Sequence, residues 1–150
     1  MKHGFFLLCI FFLSCYSEHS KEKQIIEKSV QVYGWNQKKF SIVFDFRDYR
    51  YKLTRKPDFF SYQRSTFKKG VLVRDIMTSN SKLKRYLDEN PFILSDSLTD
   101  IYSNSLNSVM YFFQLPRPLN DPAVIVNYNG EKTISNKVYW TLKVKFQEKD

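Results

Sequence analysis

The stretch FSIVFDFRDYRYKLT, residues 40–54, decides the fold. Phe40, Ile42, Phe44 and Phe46 alternate with Ser41, Val43, Asp45 and Arg47, and Tyr49, Tyr51 and Leu53 then alternate with Arg50, Lys52 and Thr54. Alternation with a period of two is the mark of a half-buried strand. A short turn at Arg47-Asp48 sets Phe46 opposite Tyr49 and Phe44 opposite Tyr51, which gathers the large apolar side chains on one face. Asp48 suits the turn because Asp tolerates positive φ better than most residues. Hairpin strands with one greasy and one polar face specify an antiparallel sheet that is wet on one side and covered on the other.

Outward from this hairpin, weaker strands are expected near Phe59–Phe67 and Val71–Met77, followed by a less regular stretch from Leu83 to Leu94. Asp75 stands out there, because it shares the parity of Val71, Val73 and Met77. A bulge or a shifted register is the first explanation, a buried polar contact the second and a catalytic acid the third. Asp88-Glu89 before Asn90-Pro91 reads as a loop. Ile25, Ile26, Ser29, Val30 and Tyr33 recur at helical spacing between Lys21 and Tyr33, and Gly34 stands where a left-handed C-terminal cap belongs. Ser97 with Asp100 resembles a capping box for a helix over Leu98–Phe113, whose Leu98, Ile101, Tyr102, Ser105, Val109, Phe112 and Phe113 fall on one side. Pro116 and Pro118 end it. A strand from Val124 to Tyr128 turns at Asn129-Gly130. The last strand, with Val138, Trp140, Leu142, Val144 and Phe146 in alternation, is the cleanest of all. The expected fold class is therefore α+β, a curved antiparallel sheet (half-barrel) over two helices.

The first fifteen residues carry a different message. Met1-Lys2-His3 is a short basic start, Phe5–Leu13 is unbroken apolar sequence, and Ser14 precedes Cys15. That is the layout of a secretory signal. With a cysteine directly after a small residue it resembles a bacterial lipoprotein signal, cleaved after Phe12-Leu13-Ser14, with Cys15 as the lipid-attachment residue. The tripeptide departs from the usual pattern at Phe12 and Leu13. At about 1.5 Å per residue, Gly4–Ser14 makes roughly 16 Å of helix against a hydrocarbon core of about 30 Å, so it is too short to span. The expected organisation is a signal peptide over 1–14, a lipidated N-terminus and tether over 15–23, and one α+β domain over 24–150. Tyr16 is not Asp, so the enterobacterial inner-membrane retention signal is missing and the outer membrane is the expected destination.

The block Tyr102–Phe113 (YSNSLNSVMYFF), then Leu115-Pro116 and Leu119–Val124 (LNDPAV), together with Phe44-Asp45-Phe46-Arg47 and its tyrosine-rich return strand, resembles uncharacterised lipoproteins of flavobacteria and their relatives. The resemblance covers the chain after the tether. It implies an architecture similar to periplasmic lipoprotein-carrier and lipid-carrier proteins, a half-barrel wrapped over helices. Relatives continue beyond the equivalent of Asp150 with further strands, so the chain resembles a truncated member. Some relatives carry an aldolase name, which would require a desolvated Schiff-base lysine. Lys52, Lys143 and Lys145 instead fall on the polar faces of their strands.

Composition narrows the chemistry. The 150 residues carry 24 basic and 15 acidic side chains, a net charge of +9, with 43% apolar and 17% aromatic residues. So much apolar material excludes a disordered tail, and a mean hydropathy of −0.44 excludes a multispanning membrane protein. Gly4, Gly34, Gly70 and Gly130 lie too far apart for a glycine-rich phosphate loop. His3 and His19 and both cysteines, Cys9 and Cys15, precede the folded part, so serine, cysteine and histidine-zinc catalysis have no residues to work with. No catalytic residue, cofactor or metal is expected. The basic residues are spread rather than clustered, which argues against nucleic acid; attraction to an anionic membrane surface fits better, and the codon bias of a low-GC genome explains the charge more simply still. The expected product is a non-enzymatic, membrane-anchored envelope protein that binds a lipid, an acyl chain or a lipoprotein. The alternative is a structural or interaction module with a filled core. Phe44, Phe46, Tyr51, Phe112, Phe113 and Trp140 are the candidate ligand-facing or core aromatics. Oligomeric state is left open by the sequence.

Overall fold

The computed structural model describes residues 20–147. Helix α1 (Lys21–Val32) is followed by strands β1 (Phe40–Phe46), β2 (Tyr49–Lys56), β3 (Phe59–Lys68), β4 (Val71–Thr78), β5 (Ser81–Leu87) and β6 (Asn90–Phe92). Helix α2 (Asp96–Phe113), a short 3-10 turn (Arg117–Asn120) and strands β7 (Val124–Ile134) and β8 (Lys137–Phe146) complete the order. Strands β1 to β6 form a six-stranded antiparallel meander in sequence order, and β7 and β8 form a separate two-stranded sheet. This is the α+β class with an open, curved sheet that the sequence implies.

The first hairpin has the register read from its alternation: Ile42 faces Leu53, Phe44 faces Tyr51 and Phe46 faces Tyr49. The positive φ of its turn falls on Arg47, at 52°. The stretch from Leu83 to Leu94 is more ordered than its sequence suggests, since β5 and β6 occupy it and Asp88-Glu89 is the turn between them. The register between β4 and β5 also shifts near Ile76 and Thr78.

Helix α2 lies on the dry face. Leu106 and Met110 are fully buried against Tyr51, Leu53, Tyr62 and Leu83 of the sheet, with Tyr102, Val109 and Phe113 beside them. This face is rotated from the expected one: Leu98, Ile101 and Phe112 are exposed, while Leu106 and Met110 take the centre. The N-cap is Ser95 rather than Ser97, its hydroxyl accepting from the Leu98 amide, so α2 starts at Asp96. Starting the helix earlier does not itself turn it. Only the sheet beneath decides which of two overlapping stripes is pressed inward.

Helix α1 includes Lys21–Lys23, residues assigned from sequence to the tether. It ends in a Schellman motif: the Trp35 amide donates to Val30, the Gly34 amide donates to Gln31, and Gly34 adopts φ 71°. Trp35 is thereby turned into the core against Phe40 and Phe113. Ile25 and Ile26 are buried too. Tyr33 is exposed, contrary to its place in the apolar spacing.

Two expectations for the last hairpin are corrected. Asn129-Gly130 is a bulge within β7, not a turn; both residues oppose Thr141, whose single hydroxyl proton is shared between their two carbonyls, and the turn comes at Ser135-Asn136. Strand β8, the cleanest alternation in the sequence, is mostly outside the core, with Val138, Trp140 and Phe146 at least half exposed. Alternation fixes which residues share a face but not whether anything covers that face.

Candidate functional site

Strand β1 is one edge of the six-stranded sheet, and α2, which packs over β3 and β5, reaches it through Phe113. Phe44 is the link: its ring stacks on Phe113 of α2 at 3.8 Å and on Tyr51 of β2 at 5.1 Å. Beyond this stack, towards the Arg47-Asp48 turn, strand and helix do not meet. A cleft of about 700 Å³ opens there, with apolar walls from Phe44, Phe46, Val109, Phe112 and Phe113 and polar groups from Asp45, Arg47 and Ser108. Its size lies in the range of small-ligand sites, about 300–1,000 Å³. Phe46 and Phe112 keep 46% and 70% exposure, so the cleft presents uncovered aromatic surface to a visitor. The Arg47 guanidinium lies 5.2 Å from the Phe46 ring, and Asp45 makes a loose, exposed ion pair with Arg50 at 3.7 Å.

Four of the six aromatics singled out from the sequence, Phe44, Phe46, Phe112 and Phe113, thus line one cleft. Tyr51 lies behind it in the core, and burial pushes its phenol above its usual value while Arg64 opposes the shift. Trp140 is elsewhere. It is half exposed on β8, its indole nitrogen donates to Glu131, and Lys21 and Lys28 of α1 approach its ring at 5.7 and 6.0 Å. Phe12, Leu13, Ser14 and the candidate lipid-attachment residue Cys15 lie outside the described residues.

The group hardest to read from sequence is Asp75. It is 1% exposed and sits in a cross-strand row of the dry face, Phe44–Tyr51–Arg64–Asp75–Arg85–Phe92. Arg64 Nε donates to its carboxylate at 2.8 Å, and Arg85 donates twice, from Nε at 2.7 Å and Nη2 at 2.9 Å. Arg64 Nη1 also donates to Ser105 of α2, and the Arg85 guanidinium lies 3.9 Å from the centre of the Tyr102 ring. Asp75 holds the Arg85 guanidinium above its usual range, mainly through these hydrogen bonds. Register is therefore not what explains Asp75; a buried ionic contact is, the second of the three sequence readings. The signal was present as two inward-facing arginines flanking an inward-facing aspartate, visible only once the strands are paired. The triad ties sheet to helix, and all three hydrogen bonds to its carboxylate come from guanidinium donors.

Among the described residues, no group of three or more His, Cys, Asp or Glu is placed to hold a metal ion. Lys52, Lys143 and Lys145 are all exposed, so none is in the desolvated setting a Schiff-base lysine needs. No described helix is long and apolar enough to cross a membrane. Neither a curated protein nor a solved structure matches this chain. A family model does match it over residues 2–150, and the chain therefore belongs to a family of unknown function (DUF6503).

Proposed function

We propose that this protein is a lipid-anchored lipoprotein of the cell envelope, attached through Cys15 and directed to the outer membrane, that binds the acyl part of an amphipathic ligand without transforming it. The observation that carries the binding is the cleft between β1 and α2, where Phe44, Phe46, Phe112 and Phe113 leave apolar surface uncovered beside Arg47. Each methylene moved from water onto such walls contributes about 0.8 kcal/mol, so an acyl segment of modest length offsets the several kcal/mol lost on association. The Arg47 charge at the rim suits an anionic head. The open sheet under a helix is compatible with the carrier architecture that the sequence resemblance implies, and the signal-like sequence before Cys15 supports the anchor.

A second reading, a structural module, is favoured by the closed packing under α2, where Leu53, Leu106 and Met110 have no exposure at all. Mass spectrometry of native material extracted from membranes separates the two. A ligand carrier retains a co-purifying lipid, and Phe112→Ser, which removes an exposed wall of the cleft and leaves the core intact, loses it. Material that carries no lipid and binds no fluorescent fatty acid is a structural module. The anchor is tested separately: Cys15→Ser loses the N-terminal diacylglycerol mass and leaves the membrane fraction, and equal membrane retention removes the lipoprotein reading.

A further inference from the structure

A second cavity, of about 360 Å³, lies on the opposite side of α2 from the apolar cleft. Its helix residues Asn107, Tyr111 and Gln114 recur at i, i+4 and i+7, facing away from Ser108, Phe112 and Val109 of the cleft. Arg55 from β2, Tyr62 from β3 and Arg117 from the 3-10 turn close it. Part of the lining is tightly built. Gln114 is 2% exposed; its amide nitrogen donates to the Tyr62 hydroxyl at 3.2 Å and to the Met110 carbonyl at 2.8 Å, while its oxygen accepts from Arg55 Nη2 at 3.3 Å. The same Arg55 nitrogen also donates to the Tyr62 hydroxyl at 3.3 Å.

Other donors of the lining have no acceptor. Among the described residues, four buried side-chain atoms lack a hydrogen-bond partner, and three of them, Arg55 Nε, Arg117 Nη1 and the Tyr111 hydroxyl, belong to residues of this one cavity. All three are donors. A buried donor left unmet costs about 1–3 kcal/mol, more when it is charged, so a cluster of three asks for an acceptor from outside. Neither Arg55 nor Arg117 makes an ion pair among the described residues. The two guanidiniums act on each other instead: burial and the charge of Arg55 together push Arg117 below its usual range. Asp121 also lines the cavity, with one oxygen taken by the Ala123 amide, and leaves the lining with a net positive charge.

We infer that this cavity is a site for a small phosphate-type oxyanion, held by Arg55, Arg117 and Tyr111. The chemistry fits the donors: guanidinium groups present N–H bonds at the spacing of phosphate oxygens, and charge-assisted bonds are the strong ones. An oxyanion in the cavity supplies acceptors to donors of this lining and offsets its excess charge. The phosphate is either free or part of a lipid head, and the two sources share this chemistry. The inference does not rest on acyl binding, since the cleft and the cavity occupy opposite faces of α2.

The test follows the arginine Nε–Hε signals of Arg55 and Arg117 by NMR in the full chain as inorganic phosphate is added, with chloride at matched ionic strength as control. Saturable shifts in both signals, with a Kd of about 1 mM or tighter, are expected. Arg117→Gln and Arg55→Gln weaken binding by about tenfold or more, Tyr111→Phe weakens it by less, and Lys52→Gln on the wet face leaves it unchanged. Phosphatidylglycerol vesicles that compete with phosphate, where phosphatidylcholine vesicles do not, assign a lipid head; absence of competition with saturable phosphate binding assigns the free ion. Wild-type signals that do not saturate, or that respond equally to chloride, overturn the inference. So does equal phosphate affinity in folded Arg117→Gln. Should that variant fail to fold, the wild-type titration decides alone.

Discussion

Replacing Asp75 by Asn keeps the shape of the side chain and removes its charge, which makes it the sharpest probe of how the sheet is held to α2. Asp75 receives three hydrogen bonds from Arg64 and Arg85 at 2.7–2.9 Å, and the Asp75 and Arg64 side chains are 2% and 5% exposed. The amide that replaces it turns an N–H towards guanidinium N–H groups, so at least one bond becomes a donor–donor clash. Two buried cations are then left without a counter-charge. Removing one partner of a buried ion pair costs about 3–5 kcal/mol, against a total stability of about 5–15 kcal/mol. At roughly 2–4 °C per kcal/mol for a chain of this size, the melting temperature falls by about 6–20 °C. Thermal and urea unfolding of the full chain, followed by circular dichroism, measures both. The triple replacement Asp75→Leu with Arg64→Met and Arg85→Met removes charge and counter-charge together and retains far more stability than the single change. If Asp75→Asn melts as the wild type does, the carboxylate is hydrated rather than locked between the arginines, and the account of the triad is wrong.

Three further outcomes follow from the same structure. Leu106→Ala, at a site with no exposure, costs about 2–5 kcal/mol, whereas Ile101→Ala, at a site 56% exposed, costs less than about 0.5 kcal/mol; similar urea midpoints for the two would restore the helix face expected from sequence. Gly130→Ala meets no atom within 4 Å but forces alanine to φ 82°, so it destabilises by about 1 kcal/mol and loosens the bulge, read as faster amide exchange across β7 and β8. The Glu22 carboxylate accepts from the Tyr128 amide at 2.9 Å, and that bond holds its pKa below the ordinary 4.5. A lowered folded-state pKa gives stabilisation that is complete above the ordinary value and fades as pH falls through the folded one. Protection of the Tyr128 amide therefore drops on acidification below 4.5, and Glu22→Gln removes that pH dependence.

The β1–β2 hairpin was legible because all its inward positions from Phe40 to Leu53 are apolar, so parity alone fixes the pairing. The same rule found the strand at Val71–Met77 but not the role of Asp75, and it left the stretch from Leu83 to Leu94 irregular. Asp75 and Arg85 each interrupt the apolar alternation of their own strands and look like irregularities there. Across the β3–β4–β5 register, Arg64, Asp75 and Arg85 become one satisfied row. The cleft was half legible: its four phenylalanines were named from their spacing, but not that helix and strand part company beside Phe44. The oxyanion cavity was not legible at all, because Arg55 lies more than fifty residues before Tyr111 and Arg117 and only the fold brings β2 against the end of α2.

The sequence by itself determined the class of fold, the first hairpin's register, the presence of both helices and the residue types available for chemistry. These rest on local geometry, on the periods of strand and helix and on the caps, which a linear pattern records. Tertiary structure alone decided which stripe of α2 is buried, that the well-patterned β8 stays largely uncovered, and that three charges meet in the core. Burial is a property of what lies opposite a face, and no pattern along one strand specifies the partner that covers it.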